Sequence, residues 1–479
     1  MLGGQATSRV AAVGAKTASH ASRSVRWLVA LAGGAGAALF WTGSLAGELS
    51  TAARATLGVA SLAVGLWGSE LLALPVTSLL AMVLLFATGA VPRVEQAFAG
   101  FGSPVLFFLL GSAGLGIAGE VTGLADRLAR HLLVRSGGSG RRLLLELLAS
   151  LPLQAFLVPS AMSRNSVLVP VYERVLAQLG RPPRLGAAVM LSLGALGPLA
   201  SSALLSGGTS PVAAAHAIGG FTWASWFVAL APPYYALLAI SGVVVWVYTR
   251  PERDVLASAE AHVAAPNRMT AAEWRVALVA ATTSLLWMLD QLTHWPPAIP
   301  ALLALVVLLV PKLGVMRWGE FAARAPWAIC VVIAGAVSLA QALTSTGAAS
   351  WVAGWLFGWL AIPGGPAASA VSIFVVTALI ALAIPNRAAA ITLGIPLAAA
   401  FAASGTLPAA AAGLIVMIAV DVETIYPAQT AANLLAYERG YFGAGQLACF
   451  NLITLLAAAA VVVFVALPWW ALVGLPGAR

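Results

Sequence analysis

Ionisable side chains are what this chain of 479 residues has least of: Asp, Glu, Lys and Arg make up 9% of it, against 61% hydrophobic residues. With a mean hydropathy of +0.95, that excludes a soluble domain and implies a polytopic membrane protein. Lysine occurs only as Lys16 and Lys312. A net charge of +9 would suggest nucleic acid as the partner of a soluble protein. Here the basic residues fall in short loops between apolar runs and report orientation instead, so no nucleic-acid partner is expected. Cysteine is equally scarce. Cys330 and Cys449 are too few for a disulfide framework or a metal centre and read as structural thiols. No nucleotide, metal or nucleophile motif is present, so no cofactor is expected and the chain does not read as an enzyme.

Because polar groups are rare, those inside apolar runs are informative. Residues Leu151 to Pro170, LPLQAFLVPSAMSRNSVLVP, carry a charge and several polar groups within an otherwise apolar stretch. Residues Ala378 to Pro396, ALIALAIPNRAAAITLGIP, repeat the plan: an apolar limb, Pro, a short polar turn with Arg, then a second limb ending in Pro. Pro159 answers Pro385 and Pro170 answers Pro396 at one offset (385 − 159 and 396 − 170, both 226). Limbs of roughly ten to seventeen residues are too short for a bilayer core of about 30 Å. Each unit therefore reads as a re-entrant hairpin, and irregular backbone at that depth implies an internal polar site.

The rest of the chain repeats around these hairpins. In the first unit, spans fall near 55–70, 74–91 and 104–121, followed by the hairpin 143–178, a broken helix 186–218 and a span 221–249. The second unit gives 277–293, 298–313 and 327–345, the hairpin 365–404, a broken helix 408–437 and a span 445–471. Gly111 and Thr122-Gly123 pair with Gly335 and Thr346-Gly347, and Phe221 pairs with Phe442. A hairpin returns to its own side, so each unit makes five crossings, an odd number, and the second enters the membrane from the opposite face. The expected fold is an all-α polytopic membrane protein of about eleven transmembrane helices in two inverted repeats. Its divisions are 1–54 (tail and first helix), 55–249 (first repeat), 250–276 (linker), 277–471 (second repeat) and 472–479 (tail). Residues 1 to 25 contain Arg9, Lys16 and Arg23 without an acid. They read as a cytoplasmic tail, since Trp27 to Gly47 is long enough to span. The basic loop Arg127 to Arg142 and the linker are placed on the same side.

The runs LGVASLAVGLWGSELLALPVTSLLAMVLLFATGAV and AFAGFGSPVLFFLLGSAGLGIAGEVTGLADRLA resemble the opening of the divalent anion/sodium symporter family of the ion transporter superfamily, whose members carry dicarboxylates, citrate and sulfate. The resemblance runs from about Leu57 to Trp470. It implies a Ser-Asn-Thr signature at each hairpin tip, its Asn nine residues ahead of a Pro. Here those positions hold Ser160-Ala161-Met162 and Asn386-Arg387-Ala388. It also implies a Thr-Pro-Pro-Asn-like turn in each broken helix, which falls on Thr209-Ser210-Pro211-Val212, preceded by SGG, and on Thr430-Ala431-Ala432-Asn433. Hairpin tips and turns hold the substrate carboxylates in that family, with sodium between tip and turn. The implied ion-coupling groups are Ser160 and Gly208, and the implied assembly is a homodimer in a bacterial inner membrane.

Arg164 and Arg387 stand at the two hairpins. A guanidinium at bilayer depth must be paired or hydrated; it either anchors a carboxylate or sulfate through its planar fork or pairs with a protein carboxylate. Asp421 and Glu423, ahead of the second turn, are the available acids for Arg387, and the first repeat has no counterpart at LGPLASSALL. Ser160, Ser163, Asn165 and Asn386 flank half-helix ends that attract anions, and Thr209, Thr430 and Asn433 are the corresponding groups of the turns. His216 reads as a packing residue, and Gln154 and Asn451 as interhelical hydrogen-bond donors. The leading expectation is a secondary transporter of small di-anions. The alternative is a cation/proton antiporter using Asp421 and Glu423, and a third is a membrane-embedded enzyme or assembly partner, for which the loops offer no cluster of His, Asp or Glu. Arg387 at an Asn position predicts that the second sodium site is absent and that transport is sodium-independent exchange or has reduced sodium stoichiometry.

Overall fold

The computed structural model describes residues 23–69, 71–124, 127, 139–157, 161–178, 181–251, 268–289, 293, 295–360, 362, 364–383, 387–403, 407–424 and 430–475. Every regular element among them is a helix. Five are long and apolar enough to cross a bilayer, and six more are apolar helices of 10–17 residues. Short pieces are what half-helices and interrupted spans produce, because neither limb of a break needs to span.

The chain opens with α1 (Arg23–Trp41) and α2 (Thr51–Ser69), which pack antiparallel. Gly33 meets Gly65 and Gly36 meets Ser61, so closely that a Cβ on Gly33 would lie 2.7 Å from the Gly65 Cα. Within a bilayer, where apolar burial gives no advantage over lipid, such small-residue seams let backbones approach and gain dispersion. Helix α3 (Leu74–Ala87) follows. Helix α4 (Pro104–Thr122) starts where Ser103 caps it and Pro104 fixes the first turn, and ends on Gly123 at φ +80. The first hairpin supplies α5 (Gly140–Leu157) and α6 (Ala161–Gln178). Then come α7 (Pro183–Ser202), α8 (Thr209–Ile218) and the long α9 (Trp223–Thr249).

The second half gives α10 (Ala271–Met288), α11 (Ala298–Leu309), α12 (Trp327–Ser345) and α13 (Ala348–Leu360). Its hairpin is α14 (Pro366–Ala383) and α15 (Arg387–Ala402), and its broken helix α16 (Ala409–Val422) and α17 (Ala431–Tyr437). Helix α18 starts at Ala444–Val461 and continues through a π-helical turn to Val473.

The hairpin limbs run to 16–18 residues, at the upper end of the expected range of roughly ten to seventeen or one residue beyond it. Pro152, Pro170 and Pro396 do not end limbs but lie inside helices. Each removes one backbone hydrogen bond, a loss that close neighbours in a membrane bundle can absorb. The turns at 158–160 and 384–386 are outside the described residues.

The two halves interlock reciprocally. Helix α11 lies along α4, and α3 lies along α12. A Cβ on Gly111 would be 2.4 Å from the Ala301 carbonyl carbon, and one on Gly335 would be 2.7 Å from the Ser78 Cβ. Gly114 meets Leu305 one turn beyond the Gly111 crossing, so α4 and α11 run parallel. The hairpin limbs cross over as well: α6 packs on α17, and α15 on α8. At the aqueous start of α10, ahead of its apolar run, Arg127 donates Nε and Nη2 to the two Glu273 carboxylate oxygens at 2.8 and 3.0 Å. That fork holds the Glu273 carboxyl down at about 2 and ties the end of α4 to the start of the second half.

Candidate functional site

Both broken helices open onto one cavity. In the first, α7 ends at Ser202 and the chain unwinds through Gly207 and Gly208 before α8 starts. Only glycine fits at 207, where a Cβ would come 1.7 Å from the Ser201 carbonyl oxygen. In the second, α16 ends at Val422 and Thr430 caps α17, its hydroxyl accepting from the Asn433 amide at 3.2 Å. Between these breaks is a space of about 220 Å³ reached by Gly208, Thr209, Arg387, Asp421 and Thr430, with Phe108 of α4 as an apolar wall. The unwound backbone predicted at membrane depth thus borders a mainly apolar cavity into which a few polar groups converge.

Arg387 opens α15 and reaches the chain just beyond α16 by donating to the Thr424 hydroxyl. Its Nε is buried without a hydrogen bond. The charges of Asp421 and Glu423 both act on this guanidinium. Asp421 is 2% exposed and Glu423 3%; Asp421 lines the cavity and Oδ2 accepts from the Tyr234 hydroxyl at 2.8 Å. Asn451 donates to the Thr424 carbonyl, tying α18 to the same corner.

Tyr234 is a contributor that motif reading passed over. It comes from α9, where Pro232 and Pro233 interrupt a 27-residue helix. Two prolines followed by Tyr inside a long apolar span were the available signal, since they free carbonyls at depth and place a hydroxyl beside them.

Arg164, Asn165 and Asn433 stand outside the cavity lining. Arg164 is 2% exposed and donates to the Gly197 carbonyl at 2.9 Å and to the Ser201 hydroxyl. Asn165 donates to the carbonyls of Leu193 at 2.9 Å and Ala432 at 3.1 Å. Residues Ser192–Leu196 form a π-helical turn inside α7. Arg164 and Asn165 therefore clasp hairpin one to that turn and to the foot of α17. The Asn433 carboxamide is fully buried against Gly194, with neither polar atom bonded to a described group. Ser160 and Asn386 are outside the described residues. Ser163 lies in α6, and its side chain is not described. His216 is held by the Ser103 hydroxyl at 3.2 Å, as a packing residue would be.

Arg164→Ala is expected to destabilise the protein by about 1.5–3 kcal/mol, the range for a hydrogen bond from a charged donor. Thermal unfolding in detergent reads this as a lowered melting temperature, partly restored in Arg164→Lys. An unchanged melting temperature would show that the clasp adds nothing.

Comparison with known proteins agrees with this architecture. A membrane protein of Cupriavidus necator is 27% identical over 335 residues, covering 64% of each chain. The sodium-dependent dicarboxylate transporter SdcS of Staphylococcus saprophyticus is 23% identical over 329 residues, 60% of this chain and 61% of that one. An uncharacterized transporter of Haemophilus influenzae is 23% identical over 418 residues, 82% of this chain and 86% of its own. The chain spans less than two thirds of the length of the first two. The crystal structure of the YdaH transporter of Alcanivorax borkumensis, reported to have an unusual topology, superposes with a TM-score of 0.51 at 19% identity, covering 79% of this chain and 87% of that one. That likeness concerns the fold alone. The family profile for the sodium:sulfate symporter transmembrane region matches residues 39–475, and with nearly the whole helical body inside that match, the chain belongs to this family.

Proposed function

We propose that the protein is a secondary transporter of small di-anions, of the C4-dicarboxylate, citrate- or tartrate-like, or sulfate type, working by alternating access in a bacterial inner membrane. The observation that carries the reading is the cavity between the broken helices, where Arg387 and the first turn of α8 offer positive character to an anion. Arg387, Thr209 and Thr430 are the proposed substrate groups. Ser160, Ser163, Asn165, Asn386 and Asn433 act at or behind the hairpin tips, and Arg164 holds the first of them in place.

The units 55–249 and 277–471 are read as inverted repeats joined by the linker 250–276. Consecutive spans alternate in direction, so α4 opposes α3. Helix α11 occupies in the second unit the place that α3 has in the first. A direct repeat would oppose α11 to α4; an inverted one aligns them, and the Gly111–Ala301 and Gly114–Leu305 contacts are those of aligned helices. The membrane-embedded pairs α5–α6 and α14–α15 move, in this reading, against a scaffold that also forms a homodimer.

Coupling follows from Arg387. Its charge is permanent and occupies the place of a sodium-organising Asn, so transport is sodium-independent exchange or has reduced sodium stoichiometry. Purified protein in liposomes preloaded with succinate, malate, citrate, tartrate or sulfate is expected to show saturable counterflow of at least one of them. Steep sodium dependence with a Hill slope of about two or more would refute the coupling, and no counterflow of any by folded protein would refute the substrate class. The alternative, a cation/proton antiporter, is favoured by one observation, Asp421 on the cavity wall. It requires sodium-driven proton flux without anion, lost in Asp421→Asn.

A further inference from the structure

Helices α4 and α12 are each followed by a left-handed glycine, Gly123 at φ +80 and Gly347 at φ +76. One turn further on, Arg127 and Trp351 occupy the same place, since the amide of each donates to the carbonyl of its own glycine, at 3.0 and 3.4 Å. They stand 224 residues apart (351 − 127), as do Gly111 and Gly335 (335 − 111). One side chain is cationic and the other neutral, yet both reach an acid at the entry to the other unit. Arg127 donates to Glu273 in the first turn of α10. The Trp351 indole N–H donates to the Glu48 carboxylate at 2.6 Å, three residues ahead of α2. The two acids are 225 residues apart (273 − 48), so the bonds are counterparts in placement while differing in chemistry.

The second bond stands at the root of a hairpin. Trp351 lies in the first turn of α13, which packs on α2 and α12 and also on both hairpin limbs, α14 and α15. The same indole meets the Phe40 ring of α1 edge-on, with centroids 6.0 Å apart and planes at 86°. The start of α13 is thus pinned to the α1–α2 pair at two points. The pins are unequal in strength. Arg127 and Glu273 share two charge-assisted bonds at 18% and 6% exposure, and Arg127 donates further to the Arg268 carbonyl at 3.1 Å. Glu48 is exposed and takes one bond from a neutral donor. Its own backbone amide and the Trp351 N–H hold the Glu48 carboxyl below the usual carboxylate range, so the acceptor is charged at neutral pH.

We infer that Trp351 and Arg127 are counterpart positioning residues: each pins the segment leading into its hairpin to the other unit and so gives that hairpin a fixed root. Neither touches the cavity. The inference rests on the proposed alternating-access reading in one respect, that the hairpins move. On the inverted arrangement the pins lie at opposite membrane faces, and the one at Trp351 is the weaker.

In liposomes containing the full chain, Trp351→Ala is expected to lower the maximal counterflow rate about two- to tenfold, the range an aromatic contact supplies, with KM unchanged. Glu48→Ala removes the same bond from an exposed position and should lower the rate about two- to fivefold, which keeps the test open where Trp351→Ala fails to fold. Trp351→Arg copies the other pin and should recover the rate; adding Glu48→Ala should remove it again, which a space-filling role does not predict. Hydrogen–deuterium exchange of residues 348–360 in detergent reads the pin without transport: faster in both alanine variants and restored in Trp351→Arg. Rates and exchange that stay unchanged in both alanine variants would overturn the inference. So would a rise in KM by the same factor as the fall in rate, because the disturbance would then lie in the binding site. Exchange that responds as expected in a protein that moves none of the di-anions would uphold the pin and count against the transport reading alone.

Discussion

Arg387→Asn is expected to remove most substrate uptake. Truncating one partner of a buried, hydrogen-bonded charge set costs about 2–5 kcal/mol, or about 30- to 4,000-fold in affinity. Here the loss has two sources. The substrate carboxylate loses its fork, and Asp421 and Glu423, 2% and 3% exposed, are left without their shared guanidinium. The change also restores the residue type that the family resemblance implies at this position, so any surviving transport should become newly responsive to sodium. Initial rates across a sodium gradient check both parts. A rate that is unchanged and indifferent to sodium would reduce Arg387 to an internal ion pair with no part in binding.

Gly111→Val is expected to prevent recovery of folded protein. At this position a Cβ would sit 2.4 Å from the Ala301 carbonyl carbon, which is backbone and cannot swing aside. Overpacking a close helix crossing costs about 1–3 kcal/mol when side chains can rearrange; against a fixed backbone, α4 and α11 must separate along their length. Gly335→Val should act in the same way through Ser78. As a control, Gly34→Ala in α1 meets nothing within 4 Å and should be silent. Monodispersity in size-exclusion chromatography with a fluorescent tag separates these cases, and a sharp peak for Gly111→Val at wild-type yield would show that the crossing is looser than drawn.

The chain's large-scale order was legible because scarcity made it so. In a sequence with 9% charged residues, two polar turns with Arg inside apolar runs are conspicuous, and their common offset locates the helices on either side. Gly111 and Gly335 could be paired with each other by nearly the same offset (335 − 111, or 224). Their contacts, Ala301 and Ser78, could not, since those lie in the opposite half and depend on how the halves meet. Pro170 and Pro396 suggested limb ends because proline breaks isolated helices, whereas here both are carried inside longer ones. Arg164 and Arg387 look alike in sequence. They differ in the structure because α6 turns its arginine toward the carbonyl-rich end of the π-helical turn in α7, while α15 starts at the edge of the cavity. Nothing local distinguishes those outcomes. Tyr234 was missed for a related reason: its partner Asp421 is 187 residues away, and only the packed bundle brings them together.

The α1–α2 pair bears on how the protein is made. Synthesis proceeds from the N-terminal side, and the seam of an antiparallel pair joined by a short loop and lined by Gly33, Gly65 and Ser61 is made of residues from these two helices alone. It can close as soon as both helices enter the bilayer. Helix α4 has no such independence, because the nearest atoms facing Gly111 belong to Ala301, which is made 190 residues later (301 − 111). Throughout that interval the nascent chain holds a closed N-terminal pair and, further along, a glycine face of α4 still without its partner, exposed to lipid or to an insertase as a temporary occupant.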